Sequence, residues 1–373
     1  MITFYFFCTL HKKCYLCTSF QITMNEILFL GIFIVLIAGC LTLDLGVFNK
    51  NSHIVSVKES LIFTVIWIGL ALGFFFFLRF YGHLIHGIDS FETLQAINIK
   101  HGHNLSFSAT TDFAEQLQMY RNQMSLEFIT GYVIEYAMSI DNIFVILLIF
   151  TSFGVKEKYY HRVLFWGILG AIVMRFLFIF VLSGLIHQFE WILAVFGIIL
   201  LYTAIKMFVK RNEQEEVDTK NHRVVKFVSK HFAVCDDFRE EHFFVKENGK
   251  RMITPLFLVL IVIEFSDIIF AVDSVPAIFS VTKDQYLVFF SNIFAIIGLR
   301  SLFFLLSNMV QYFRFLKPGL SVLLAFIGIK MLLAVFGIAE ISTGLSLIII
   351  VSILVICILL SVIFPHKNKE FVK

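Results

Sequence analysis

Nine stretches of the chain are almost wholly apolar, and each is bounded by charged or turn-forming residues: 27–48, 60–81, 127–152, 163–187, 190–209, 254–281, 285–309, 318–338 and 341–364. A helix needs about 20 such residues to cross a hydrocarbon core roughly 30 Å thick. With no water there to satisfy the backbone, runs of this kind must be helical, and the short alternating segments of a membrane strand barrel are absent. The pattern predicts an all-α fold, a polytopic membrane bundle of about nine helices.

The polar intervals divide the chain into an N-terminal extension at 1–24, two membrane helices at 25–82, a histidine-containing loop at 83–126, three helices at 127–209, a charged loop at 210–252, three more helices at 253–338, and a last helix with a basic tail at 339–373. Composition agrees with the membrane class: 59% of residues are hydrophobic, 15% are charged and the mean hydropathy is +0.87. A net charge of +3 with no basic patch points away from nucleic acid. Six scattered cysteines lack the spacing of a secreted disulfide framework.

Basic residues set the orientation, because cytoplasmic loops carry the positive excess. Alternating the nine spans puts six lysines and arginines on one side and twenty on the other, ten of the twenty between Lys210 and Arg251. The expectation is an outer N-terminus and a cytoplasmic C-terminus, with 83–126 outside. Lys206 and Lys330, near helix ends, are expected to snorkel to the interface.

Two segments resemble each other. Glu135-Tyr-Ala-Met-Ser-Ile-Asp141-Asn142 and Asp267-Ile-Ile-Phe-Ala-Val-Asp273-Ser274 each hold an acid, five residues, then an acid and a polar neighbour. Arg175 and Arg300 follow in the next helix, and Ala204-Ile-Lys206-Met resembles Gly328-Ile-Lys330-Met one helix later. A three-helix unit is odd, so its second copy enters from the opposite side, as in the inverted repeats of transporters.

A carboxylate at the bilayer centre costs about 2.5–3.5 kcal/mol on translocon scales. Glu135, Asp141, Glu264, Asp267 and Asp273, with Asp44 near the end of the first helix, therefore need compensation. A hard divalent cation supplies it, with Asn142 and Ser274 as neutral oxygen ligands. The alternative is structural pairing with Arg175 and Arg300, which could also occupy the acids when the ion is absent and so gate the site. On a regular helix Glu135 and Asn142 lie within about 20° of one face, as do Asp267 and Ser274, while Asp141 and Asp273 sit roughly 120° away. Pro276 is expected to open the sixth helix near Asp273, and Ser139 to bend the third.

The residues 24–365 resemble the TerC/Alx family of membrane proteins. The segments that carry the resemblance are Leu41–Phe48, Leu126–Tyr132 running into Ser139–Asn142, His161–Gly167, Glu264–Ile278, Ser291-Asn292 and Gly298–Ser301. The resemblance implies a bacterial inner membrane protein that exports manganese from the cytoplasm, with the membrane acids as ion ligands and Asn292 beside the arginines in charge pairing. It leaves the tellurium-resistance phenotype without a mechanism. The chain departs from the family at Lys156 and Tyr160, and in a longer 82–126 segment carrying His83, His86, His101 and His103, which is expected to be a solvated insertion.

The partners expected are a divalent cation as cargo and the lipid bilayer, with no resident cofactor. No nucleophile–base constellation or zinc-protease spacing points to an enzyme. Two rival readings stand beside manganese export coupled to protons: export of another divalent ion such as Ca2+, and a non-transporting scaffold for metal or tellurite stress.

Overall fold

The computed structural model describes residues 24–42, 56–103, 105–107, 112–189, 191–210, 223–235, 239, 242–247, 250–307 and 315–363. Asp44, the 1–23 extension and the basic tail lie outside them. Nine helices among the described residues are long and apolar enough to cross a membrane, as the hydrophobic pattern predicts. They are α1 (Met24–Thr42), α2 (Val57–Tyr81), α5 (Phe113–Ser152), α6 (Tyr160–Gln188), α7 (Trp191–Val209), α9 (Pro255–Phe279), α10 (Gln285–Ser307), α11 (Leu316–Val335) and α12 (Thr343–Ile363). Shorter helices α3 (His83–His86), α4 (Phe91–His101) and α8 (Arg223–His231) lie between them, with a hairpin of β1 (Phe244–Glu247) and β2 (Lys250–Ile253).

Local chemistry sets the ends. Ser56 caps α2 by accepting from the Glu59 amide, and Thr254 caps α9 with Pro255 in the first turn, where a missing N–H costs nothing. Helices α3 and α4 each stop at a glycine in the left-handed region, Gly87 (φ 63°) and Gly102 (φ 61°), which a side chain would strain. Each stop falls directly after a histidine, so His86 and His101 are both C-terminal residues of short helices.

Helix α10 is the buried centre, enclosed by α2, α5 and α6. Phe33, Phe74, Phe128, Phe290 and Phe294 interlock around it, several edge to face. Helices α7 and α11 pair closely, because Gly197 and Gly328 let the backbones meet: a Cβ on Gly328 would lie 2.9 Å from the Gly197 carbonyl oxygen. Many large apolar side chains on the outer faces, such as Val35, Ile205 and Ile348, are exposed and form the lipid-facing belt.

Three expectations need correction. Helix α9 runs unbroken through Pro276, which sits in its last turns where little of the ladder remains to be disrupted, so no opening forms at Asp273. Helix α5 is likewise continuous through Ser139 and begins 14 residues earlier than the apolar run, reaching 40 residues. The 82–126 segment is not a solvated loop: it folds into α3, α4 and the first turns of α5, and His86, His101 and His103 are buried. The charged 210–252 segment packs α8 through Val224, Val225 and Val228 onto Ile253, Phe257 and Leu258 at the start of α9. The face carrying β1 and β2 is the hairpin side; the face carrying α3 and α4 is the histidine side.

Candidate functional site

Two buried polar clusters lie within the bundle. The inner one is centred on Arg175 of α6, whose side chain is fully buried. Its Nη1 donates to Glu135 of α5 in a very close ion pair, to Asn292 Oδ1 of α10 at 2.7 Å and to Ser274 Oγ of α9 at 3.0 Å. Its other nitrogens reach Asp267 of α9 at 3.2 and 3.4 Å. Asn292 also donates to the second oxygen of Glu135, at 3.2 Å. Gly131, one turn before Glu135, permits this approach: a Cβ there would lie 2.9 Å from Ser291 Oγ on α10. One cation thus faces two carboxylates, one from each three-helix unit.

Of the two helical-wheel pairs, Asp267 and Ser274 share the face turned to Arg175, whereas Glu135 reaches it without Asn142. Asp273 turns to α7 instead, where Thr203 donates to it at 3.4 Å. Asn142 does not touch Arg175; it lines a small pocket with Asp267, Ser266 and Phe270 between α5, α6 and α9. The carboxylate of Glu264 lies against Gly170 of α6, so closely that a Cβ on Gly170 would sit 2.1 Å from Glu264 Oε1. Asp141 is half-buried. Arg300 meets His161 Nε2 at 3.0 Å, in a cleft with Glu59 and Trp67 toward the hairpin side.

The outer cluster lies on the histidine side. His86 bridges two acids, with Nδ1 2.9 Å from Glu26 Oε1 and Nε2 3.0 Å from Asp284 Oδ2. His101 places Nε2 3.1 Å from the same Glu26 oxygen and Nδ1 3.7 Å from Asp284 Oδ1. Lys100 donates to both Glu26 oxygens, at 2.7 and 2.8 Å, and His103 pairs with Glu127 of α5 at 3.0 Å. Asp284 also caps α10 by accepting from the Tyr286 amide. Burial would push His86 down, but Asp284 and Glu26 hold it up, to about 9. Burial would raise Asp284, yet His101 and His86 hold it well below the usual carboxylate range. For His101 burial prevails, with the charge of His86 added, and its pKa falls. For His103 burial opposes and Glu127 wins, so its pKa rises.

Beside this cluster a cavity of about 360 Å³ opens to the histidine side, lined by His103, Gln123, Glu127, Thr282 and Lys330 among others. Lys330 does not snorkel; it is buried on the cavity wall, whereas Lys206 is exposed. The sequence reading missed Glu26, Glu127 and Asp284. Glu26 and Asp284 stand alone in sequence at helix starts, 60 and 198 positions from the His86 they hold, and no spacing signal links such residues.

Comparison with known proteins adds an independent line. The sequence profile described as the integral membrane protein TerC family matches residues 120–369. A membrane protein of Myxococcus xanthus is 37% identical over 331 residues, covering 89% of this chain and 91% of that protein. The Alx protein of Salmonella typhi, whose name proposes a membrane-bound redox modulator, is 38% identical over 349 residues, 93% of this chain and 98% of its own length. A membrane protein of Rickettsia bellii is 36% identical over 337 residues, 90% of this chain and 97% of that protein. No solved structure gives a significant match.

Proposed function

The chain belongs to the TerC family of integral membrane proteins, and from that premise we propose that it transports divalent metal cations, Mn2+ first among them, from the cytoplasm outward across the inner membrane. The observation that carries the reading is the double engagement of Asp267. It holds Arg175 at 3.2 and 3.4 Å, more loosely than Asn292, Ser274 or Glu135 hold the same guanidinium. It also lines the pocket that contains Asn142 and Ser266.

A hard cation entering that pocket finds a carboxylate, an amide and a hydroxyl, the oxygen set that suits Mn2+, Mg2+ or Ca2+. Asp267 turns to the ion, and Arg175 stays anchored by Glu135, Asn292 and Ser274. The guanidinium is then the stand-in that keeps the acids paired when no ion is bound. Asp141, Glu264 and Asp273 are further ligands along the path. The positive excess on the hairpin side makes that face cytoplasmic, so the cavity at Glu127 and Lys330 is an outward vestibule. The opposite chain directions of α5–α7 and α9–α11 support alternating access by rocking of the two units. Protons are the counter-ion in this reading: Asp267 returns to Arg175 when the metal leaves, while an acid farther along the path such as Glu264 takes up a proton more readily than it stays charged in the bundle. The chain carries out no covalent chemistry in it.

The test is radioactive manganese flux in proteoliposomes for the wild type, Asp267→Asn and Asp141→Asn, at matched insertion. Flux lost in Asp267→Asn with the fold intact supports the reading. Equal flux in all three removes these acids from the path, and no flux of any divalent ion in the wild type favours the scaffold. Flux indifferent to an imposed pH gradient removes the proton step alone.

A further inference from the structure

We propose that Glu26, His86 and His101 form a second metal site, at the histidine side, selective for borderline ions of the Zn2+ and Co2+ class and separate from the oxygen-lined pocket at Asp267. The three residues present one ligand atom each, His86 Nδ1, His101 Nε2 and a Glu26 oxygen, within 4.8 Å of one another. Both near nitrogens already point at the same carboxylate oxygen, at 2.9 and 3.1 Å. Ligand atoms on one tetrahedral zinc ion, bound at about 2.0–2.1 Å, lie roughly 3.3 Å apart, so the two nitrogen–oxygen distances need to lengthen by only a few tenths of an ångström to admit an ion.

The surrounding residues match what such sites require. A metal-bound imidazole almost always gives its far N–H to a carboxylate, which fixes the ring and its tautomer. Here one residue faces both rings from behind: Asp284 lies 3.0 Å from His86 Nε2 and 3.7 Å from His101 Nδ1. Asp284 is itself anchored by capping α10. The two rings are placed by rigid means, each ending a short helix at a left-handed glycine. His103 adds a further donor nearby: its ring lies 6.1 Å from that of His101, and its buried Nε2 has no hydrogen-bond partner among the described residues.

Two imidazoles and one carboxylate leave a coordination position open, the arrangement of sites that hold an exchangeable ligand. Access is at Lys100, whose side chain is 43% exposed and whose ammonium donates to both Glu26 oxygens, at 2.7 and 2.8 Å. That ammonium competes with an incoming cation for the same carboxylate, so it sets the affinity. Nitrogen ligands favour later first-row ions over Mn2+ or Mg2+, and the chemistry of this site therefore differs from that at Asp267.

The experiment is equilibrium titration of the untagged, full-length protein in detergent with Co2+, followed by its visible d–d absorption, with X-ray absorption on the Zn2+ form. The wild type is expected to bind one ion with imidazole scattering in the spectrum. The band should vanish in His86→Gln/His101→Gln, persist in Asp267→Asn, and weaken in affinity by about 10–100-fold in Asp284→Asn. Lys100→Ala, at a partly exposed position, should bind several-fold more tightly. An all-oxygen spectrum in the wild type, a band unchanged in the double histidine variant, or a Lys100→Ala affinity equal to the wild type would overturn the site. None of these outcomes depends on flux.

Discussion

The inner and outer clusters solve one problem, the burial of charge, with different cations. Around Arg175 the cation is a guanidinium that stays charged at any physiological pH, and all four of its partners come from membrane helices. Around His86 the cation is an imidazole, whose charge depends on its neighbours and on pH. The difference follows depth. In the hydrocarbon interior, loss of the positive charge would strand two carboxylates with no water to receive them, so a group that cannot titrate is placed there. At the membrane edge, beside an open cavity, a group that can exchange its proton is tolerable, and the same softness suits it to a metal.

The largest effect expected from breaking this contrast is at Arg175. Arg175→Met leaves Glu135 and Asp267 uncompensated and should cost about 3–5 kcal/mol, read as a lowered unfolding midpoint in detergent. Adding Glu135→Gln and Asp267→Asn to the same chain should recover most of that stability while flux stays absent, which separates the structural role of the cluster from the transport role proposed for it. An uncorrected midpoint in the triple variant would show that the acids are not what Arg175 compensates.

Next is His86. His86→Leu deprives Glu26 and Asp284 of a charged hydrogen-bond partner and should cost on the order of 2 kcal/mol at pH 6. The pH dependence sharpens the comparison. With its folded pKa raised from 6.5 to about 9, His86 contributes stability that is complete below pH 6.5 and lost as pH rises through about 9. In chelator-treated protein the unfolding midpoint should fall across that window, and the fall should be shallower in His86→Leu. An identical slope in both would assign the pH response to other groups.

Smaller effects come from the edges of the inner cluster. Gly170→Ala drives a methyl group into Glu264 and should cost on the order of 1–2 kcal/mol by overpacking. Adding Glu264→Ala should restore stability, and the coupling between the two changes measures the contact. Thr203→Ala removes the 3.4 Å hydrogen bond to Asp273 and should cost about 0.5 kcal/mol. A larger loss there would mean that Asp273 is more deeply committed to α7 than its geometry implies.

The inner cluster was legible in the sequence because its acids come as a repeated local spacing on helices, so that a period of about 3.6 residues was enough to group Asp267 with Ser274 and exclude Asp273. Arg175 was legible as the partner because few other cations stand within a predicted span. What the spacing could not give was the meeting of Arg300 with His161, which depends on how α10 is rotated among α2, α5 and α6, and rotation is a property of packing. The outer cluster was read as solvated because histidines among polar residues carry no periodic signal. Its partners, Glu26 and Asp284, are brought in from α1 and the start of α10 by tertiary folding alone. The continuity of α9 was likewise missed, because a proline signals a break only where much of the helix lies beyond it.

Helix α5 joins the two clusters in one body. Its 40 residues make a rod of about 60 Å, twice the hydrocarbon thickness, and it carries Glu127 at the outer cavity, Glu135 on Arg175 and Asp141 deeper still. A rod of that length that pivots by roughly 10° near its middle moves each end by about 5 Å. Glu127 and Glu135 lie only about 8 and 4 Å from that middle, on either side of it, so the same tilt moves them by about 1 Å in opposite directions, and a rigid α5 ties the pairing of Glu127 with His103 to that of Glu135 with Arg175.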